Sequence, residues 1–530
     1  MTEQPSRPLE RGRHAGVLVP LASMPSTRSW GIGELGDLEP LAAWLRASGL
    51  DVVQLLPINE MVAGQASPYS AVSAMAIDPI YIRLPDVEDL SGTAGQAGAG
   101  GDVAERVAAL RQGRRVDYST VRALKRRELE VAFERFLARE WRPGTSRARA
   151  LSDYIEEAAW WLDDHGLFRA IHDDRSGVPW IEWPAELRDR EPDALAGARR
   201  RLADAILFHQ YCQWVAERQW QLARSRSPVW VLGDFPFMVA LDSVDVWAHQ
   251  AEFDLDATIG TPPDAFSETG QDWGLPAYRW EAVRARAFGW LRSRARRCAA
   301  LFDGFRLDHA VGFYRTYARP RDGRPPRFEP ALEADQCALG EQVISVCRAA
   351  GTFVVAEDLG TVPDFVRASL SALGVPGYRV LRWERRWHEP SRPFIDPAAY
   401  PTCSVATSGT HDTTTLAAWW AEAPAEERAQ LLRLLGCDGP RADSRRPFDV
   451  RLRDAVLERL LGSASDLVIL PIQDLFGWLD RINVPSTVSD RNWTFRLPWP
   501  VDALPEIPDA SERAGALRAW SVRAGRVDGR

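Results

Sequence analysis

The apolar positions of this chain fall into eight short runs of β-forming residues, at 16–20, 52–57, 229–239, 302–307, 353–356, 378–383, 404–407 and 467–472. Between most of them the apolar positions recur at helical spacing, as over 38–48, 280–300, 332–350 and 425–435. Strands alternating with helices favour parallel strands joined by helical crossovers. The near-continuous apolar character of the runs fits strands buried on both faces. Eight is the number that a closed (β/α)8 barrel requires, so the predicted fold is α/β, a TIM barrel with its chemistry at the C-terminal strand ends.

One gap breaks the alternation. Residues 86–227 separate the second run from the third and are far longer than a connection needs to be. The Gly/Ala-rich stretch 92–101 reads as a mobile loop. Helical patterns follow at 116–141 and 198–223, with Leu207, Tyr211 and Trp214 on one stripe. We therefore expect a single catalytic barrel over 1–530, an inserted, largely helical subdomain at 86–227, a flexible end at 1–13, and a tail at 508–530 that is either flexible or a partly ordered helix. About 58 residues follow the last run, too few for a C-terminal β-sandwich domain, and none is expected.

Composition narrows the function. With 45% hydrophobic and 26% charged residues the chain can bury a large core. A formal net charge of −8 argues against nucleic acid as partner, and the Arg runs at 199–201 and 294–297 read as solvated helix faces. Six cysteines without a C-x-x-C pair read as ordinary thiols. No apolar run approaches the roughly 18 residues of a membrane span, and the opening segment lacks the apolar core of a secretory signal. No membrane partner and a cytoplasmic location are expected. Zinc and calcium-loop spacings are missing, so neither metal nor cofactor is expected and activity should survive a chelator. Of the 22 tryptophans most read as core, but a few placed away from helical stripes could offer flat faces to sugar rings.

Three segments carry the candidate chemistry: GFRLDH at 304–309, VAEDLG at 355–360 and SGTHDT at 408–413. Each puts an acid just beyond a buried strand, where a carboxyl group is costly unless it is used. Asp308, Glu357 and Asp412 thus converge on one rim. Cleavage of an acetal between sugars needs two carboxyl groups in different protonation states. Arg306, two residues before Asp308 on the same strand face, suits Asp308 to remain ionised as nucleophile. Glu357, with the longer reach, reads as general acid and then base, its pKa raised by burial and by neighbouring acids. Asp412 reads as the acid that grips ring hydroxyls and distorts the sugar, and His309 and His411 as hydrogen-bond donors to it.

Further stretches make the pattern specific: GIGELGDL at 31–38, SPYSAVSAMAIDPIYI at 67–82, GDFPFMVALDSVDVWAH at 233–249 and PPDAFSETGQDWGLPAYRW at 262–280. Over most of its length the chain resembles glycoside hydrolase family 77, the amylomaltase or disproportionating-enzyme family of 4-α-glucanotransferases. The resemblance implies Asp308 as nucleophile, Glu357 as acid/base and Asp412 as transition-state stabiliser. It also implies that Tyr69, Asp234, Gln271, Trp273, Arg306, His309 and His411 hold glucose units, with Asn483 of RINVP in the same role. The implied partners are maltooligosaccharides, starch or glycogen. The implied reaction is retaining transfer of α-1,4-glucan segments to an acceptor 4-hydroxyl. The sequence differs from the family's usual pattern at Ala310-Val311-Gly312, at Thr413, where Asn is frequent, at Ser486-Thr487, where Gly-Thr is usual, and in the charged stretch 383–386.

Two competing readings remain, a hydrolase using the same acids with water as acceptor and a catalytically silent glucan binder. Transfer wins when an acceptor is better placed than water: effective molarities near 10⁵ M or more exceed the roughly 55 M of water. Tyr69, Trp273 and the segment 260–274, read as a lid, are the candidates for that placement.

Overall fold

The computed structural model describes Leu9 and residues 12–91, 101–263, 270–437 and 443–527. Their strands are β1 His14–Leu18, β2 Val52–Gln54, β3 Trp230–Phe235, β4 Phe253–Thr261, β5 Gln271–Tyr278, β6 Gly304–Leu307, β7 Thr316–Pro320, β8 Arg327–Glu329, β9 Phe353–Ala356, β10 Gly377–Val380, β11 Ser404–Thr407 and β12 Leu467–Pro471. Eight of them close a parallel barrel in the order β1-β12-β11-β10-β9-β6-β3-β2, and each apolar run contributes one. The short strands β6, β11 and β12 are buried at every position, as strands covered on both faces must be. Register then sets the site: β3 and β6 align Asp234 with Arg306, while β6 and β9 align Leu307 with Ala356. The next residues of those two strands, Asp308 and Glu357, leave the barrel at one level. Beside Asp234 only glycine fits, because a Cβ on Gly233 would lie 2.2 Å from the Phe302 ring.

The remaining strands form an antiparallel sheet in the order β5-β4-β7-β8, which the sequence reading missed. Strand β4, FDLDATIGT, alternates polar and apolar residues, so a search for continuous apolar runs passes over it. The segment 260–274, read as a loop, is in its described parts the facing ends of β4 and β5. Its residues 264–269 lie outside the described residues, as does most of the stretch expected to be a mobile loop at 92–101.

Between β2 and β3 run the helices Gly101–Gln112, Tyr118–Phe136, Ser146–Asp174, Pro192–Arg201 and Ala203–Arg226, with the short helix Ala185–Arg188. Their aromatic faces interlock: Phe136 meets Tyr211 at 5.0 Å and Trp214 at 5.8 Å between ring centroids. Buried charges tie them to the barrel side. Lys125 donates to the carbonyls of Ile80 and Ile82 at 2.7 and 2.8 Å and pairs with Glu34 at 2.7 Å. Glu60 pairs with His165 at 2.7 Å and Arg169 at 3.2 Å.

Two expectations need correction. The Arg run at 294–297, read as a solvated helix face, is partly buried instead: Arg294 and Arg297 turn inward to donate to the carbonyls of Pro236 at 2.6 Å and Met75 at 2.8 Å. The helix predicted over 280–300 is two, Trp280–Ala285 and Gly289–Leu301, parted where Ala287 and Phe288 take φ of 52° and 58°. A left-handed pair cannot continue a right-handed helix. The tail 508–530, for which the sequence left open both a flexible end and a partly ordered helix, carries a helix, Pro508–Arg523, whose Ala510, Leu517 and Trp520 are buried and whose Ala510 carbonyl accepts from the Trp44 indole at 3.3 Å. Leu517 and Trp520 give that helix an apolar face, which outweighs its polar composition. Residues 1–8, 10 and 11 of the other end lie outside the described residues. Among the described residues no helix is long and apolar enough to cross a membrane.

Candidate active site

The site is built at the C-terminal ends of β3, β6, β9 and β11, the rim where barrel loops converge. Arg306, on β6 and nearly fully buried, organises it. One terminal nitrogen donates to both oxygens of Asp234, at 3.0 and 2.8 Å. The other lies 2.9 Å from Asp308 and 3.9 Å from Glu357. Those two carboxylate oxygens are therefore no further apart than the sum of the two distances, about 7 Å, so both acids can face one sugar ring. Glu357 is fixed in turn by the backbone: its Oε2 accepts from the His309 N–H at 2.8 Å and its Oε1 from the Leu359 N–H at 3.2 Å.

On the opposite side Tyr69 donates to Asp234 at 2.7 Å, and its hydroxyl lies 3.2 Å from His411 Nε2. The Tyr69 and His411 rings stack at 5.5 Å. Asp412, the most open of the three acids with 44% of its side chain exposed, accepts from Asn483 Nδ2 at 2.7 Å. Trp273, on β5, meets the His309 ring edge-on at 4.9 Å, and its indole donates to Gln271 at 3.1 Å. All eleven candidate side chains thus belong to one continuous cluster.

Electrostatics separates the acids. Burial pushes Glu357 up to about 8 against the pull of Arg306, with Asp308 adding to the rise. Burial likewise raises Asp234, opposed chiefly by the adjoining Arg306 charge. Arg306 itself is held charged far above its usual range, because the acids around it outweigh its burial. Burial pushes His309 down to about 4 and also lowers His411, so both rings are neutral donors at neutral pH. Burial and the adjoining Asp234 keep the Tyr69 hydroxyl protonated.

The Asp412 loop is clamped from below. Buried Asp474 accepts from the Ser408 hydroxyl at 2.5 Å and the Leu416 N–H at 2.7 Å. Thr413 closes the turn, its hydroxyl accepting from the Thr410 N–H at 3.0 Å and donating to the Thr410 carbonyl at 3.1 Å. Its side chain therefore serves the loop's shape.

Sequence reasoning missed two members of the cluster. Trp493 packs against Tyr69 at 5.6 Å and His411 at 5.7 Å. Arg481 donates to the Asp412 carbonyl at 2.8 Å and to the Asn483 carbonyl at 3.1 Å. The signal for Trp493 was the one used for Trp273, an aromatic off any helical stripe; for Arg481 it was its place two residues before Asn483. His309 and Trp493 both hold positive φ, 44° and 65°, a cost of about 1–3 kcal/mol each that tends to gather at functional sites.

Comparison with known proteins identifies the family. The family described as 4-alpha-glucanotransferase matches residues 19–502. The 4-alpha-glucanotransferase of Thermus thermophilus is 32% identical, covering 92% of this chain and 95% of that one. That of Chlamydia pneumoniae is 30% identical, covering 91% of each. The amylomaltase of Streptococcus agalactiae in complex with acarbose superposes with a TM-score of 0.81 at 26% identity, covering 97% of this chain and all of that one. The Corynebacterium glutamicum amylomaltase, at 22% identity and a TM-score of 0.75 over 96% of this chain and 75% of that one, shares the fold. The chain belongs to glycoside hydrolase family 77, the 4-alpha-glucanotransferases.

Proposed function

We propose that this protein moves α-1,4-glucan segments between maltooligosaccharide, starch or glycogen chains by double displacement on Asp308. In the first half-reaction a carboxylate oxygen of Asp308 attacks the anomeric carbon as its bond to the leaving 4-oxygen breaks. Glu357 gives its proton to that oxygen, and the shortened glucan departs. In the second, Glu357 takes the proton of an acceptor 4-hydroxyl, whose oxygen attacks the same carbon and frees Asp308. Asp412, held by Asn483, and the neutral donors His411 and His309 grip the ring hydroxyls as the ring flattens. Tyr69, Asp234, Gln271 and Trp273 complete the sugar's surroundings, and we take 86–227 as a subdomain packed beside the barrel.

The observation that carries this reading is Arg306, which sits between Asp308 and Glu357 within reach of both. Charge beside one acid and burial of the other are what a nucleophile and an acid/base need. Water is outcompeted where an acceptor sugar is held by the Trp273 hairpin.

Incubation of purified protein with maltotriose tests it. Transfer yields glucose together with maltopentaose and longer chains, whereas a hydrolase yields glucose and maltose alone. Asp308→Asn should cut turnover about 10³-fold or more while a glucan still binds; retained turnover would reassign the nucleophile.

A further inference from the structure

Strand β10 lies between β9 and β11 in the barrel wall. The segment that follows it therefore rises on the rim between Glu357, which follows β9, and the loop of Asp412, which follows β11. Residues 384–395 of that segment form a braced hairpin. Arg385 and Phe394 pair across it, the Ile395 N–H donates to the Glu384 carbonyl at 2.9 Å, and the Arg386 N–H donates to the Pro393 carbonyl at 3.0 Å.

Its foot is joined to the Asp412 loop, where Arg382 donates to the Thr414 hydroxyl at 2.6 Å and to the carbonyls of Thr414 and Ser408 at 2.8 and 3.2 Å. Higher up, Arg385 lies 3.9 Å from the Phe394 ring centroid and bonds Gln430 at 3.2 Å and Glu427. At the turn stands Trp387, 59% exposed, with the Arg392 guanidinium 5.8 Å from its ring. Arg386, His388 and Glu389 around it also reach solvent.

A single exposed aromatic residue is ordinary. This one sits on a hairpin held by backbone pairing and an ion pair, it belongs to the catalytic rim, and it is ringed by hydrogen-bonding side chains. An exposed indole face takes the C–H patch of a pyranose ring, while flanking Arg, His and Glu suit its hydroxyls. We propose that Trp387 is a glucan platform outside the catalytic cleft, holding the distant part of a long α-1,4-glucan while its reacting end occupies the cleft. The proposal rests on the glucanotransferase reading for its ligand class. A second contact on the same chain acts intramolecularly, so it tightens long glucans and leaves those too short to span both places without the gain.

Steady-state transfer with maltotriose and with long-chain amylose tests this. In Trp387→Ala the preference for amylose over maltotriose, as a ratio of kcat/KM, should fall about fivefold, through KM, in line with loss of one aromatic contact. Trp387→Phe should restore most of it, and Trp387→Gln, a second ringless variant, should repeat the loss with an unchanged circular dichroism spectrum. A preference that survives both ringless variants overturns the platform while leaving the transferase reading intact. Failure of the wild type to disproportionate maltotriose would instead sink that reading. Ringless variants that change oligomeric state by light scattering, with KM for amylose unaltered, would make Trp387 a protein contact and also end the proposal.

Discussion

Arg306 and Asp308 project from one strand face and meet at 2.9 Å, while Asp234 on the next strand accepts two hydrogen bonds from the other end of the same guanidinium. Arg306→Met should therefore act twice. Removing the charge beside the nucleophile should lower kcat about 10²-fold or more. It should also cost about 3–5 kcal/mol of stability, because Asp234 is left buried with only Tyr69 to satisfy it. Urea unfolding and maltotriose turnover read the two effects separately. Normal turnover in the variant would dissociate Arg306 from catalysis.

Glu357, pushed up from an ordinary 4.5 to about 8, is protonated at neutral pH. The first half-reaction should lose rate on the alkaline side with a midpoint near that value. The stability effect has the same direction. Between its unfolded and folded values the native state binds one more proton than the unfolded chain, so stability falls as pH rises through that window. Glu357→Gln should remove this slope, so its melting temperature should gain on the wild type from about pH 5 to about pH 8. Parallel curves would show that Glu357 does not titrate there.

Asn483 donates to the one acid that is substantially open to solvent. Asn483→Ala should leave the fold intact, since the Arg481 bonds to the Asp412 and Asn483 carbonyls involve backbone that alanine retains. Turnover should fall about tenfold to a hundredfold through kcat, as expected for a group that orients a transition-state contact. Asn483→Asp should be worse, because it sets a second carboxylate against Asp412. Equal activity in all three forms would remove Asn483 from the site.

Much of this molecule was legible because its barrel strands are short, buried and nearly all apolar, so that each acid stands out at a strand end. The register that aligns Leu307 with Ala356 explains why two residues 49 positions apart in sequence become neighbours. Strand β4 escaped because alternating residues leave no run to find, and the β4–β5 hairpin that carries Trp273 was read as a lid for the same reason. Trp493, though off any helical stripe like Trp273, was passed over; its place against Tyr69 and His411 is fixed by a turn at positive φ far along the chain. Ser486 shows the converse: it holds φ 59°, the backbone state glycine favours, where the family usually has glycine.

Trp273 and Gln271 belong to a sheet whose four strands are separate from the eight that include β6, β9 and β11, the strands preceding the three acids. On the function proposed above, bond-making machinery and partner choice are mounted on different frames. Exchange of the segment from Phe253 to Tyr278 between relatives is accordingly a modular route to new product distributions, with the reacting carboxylates left where they stand.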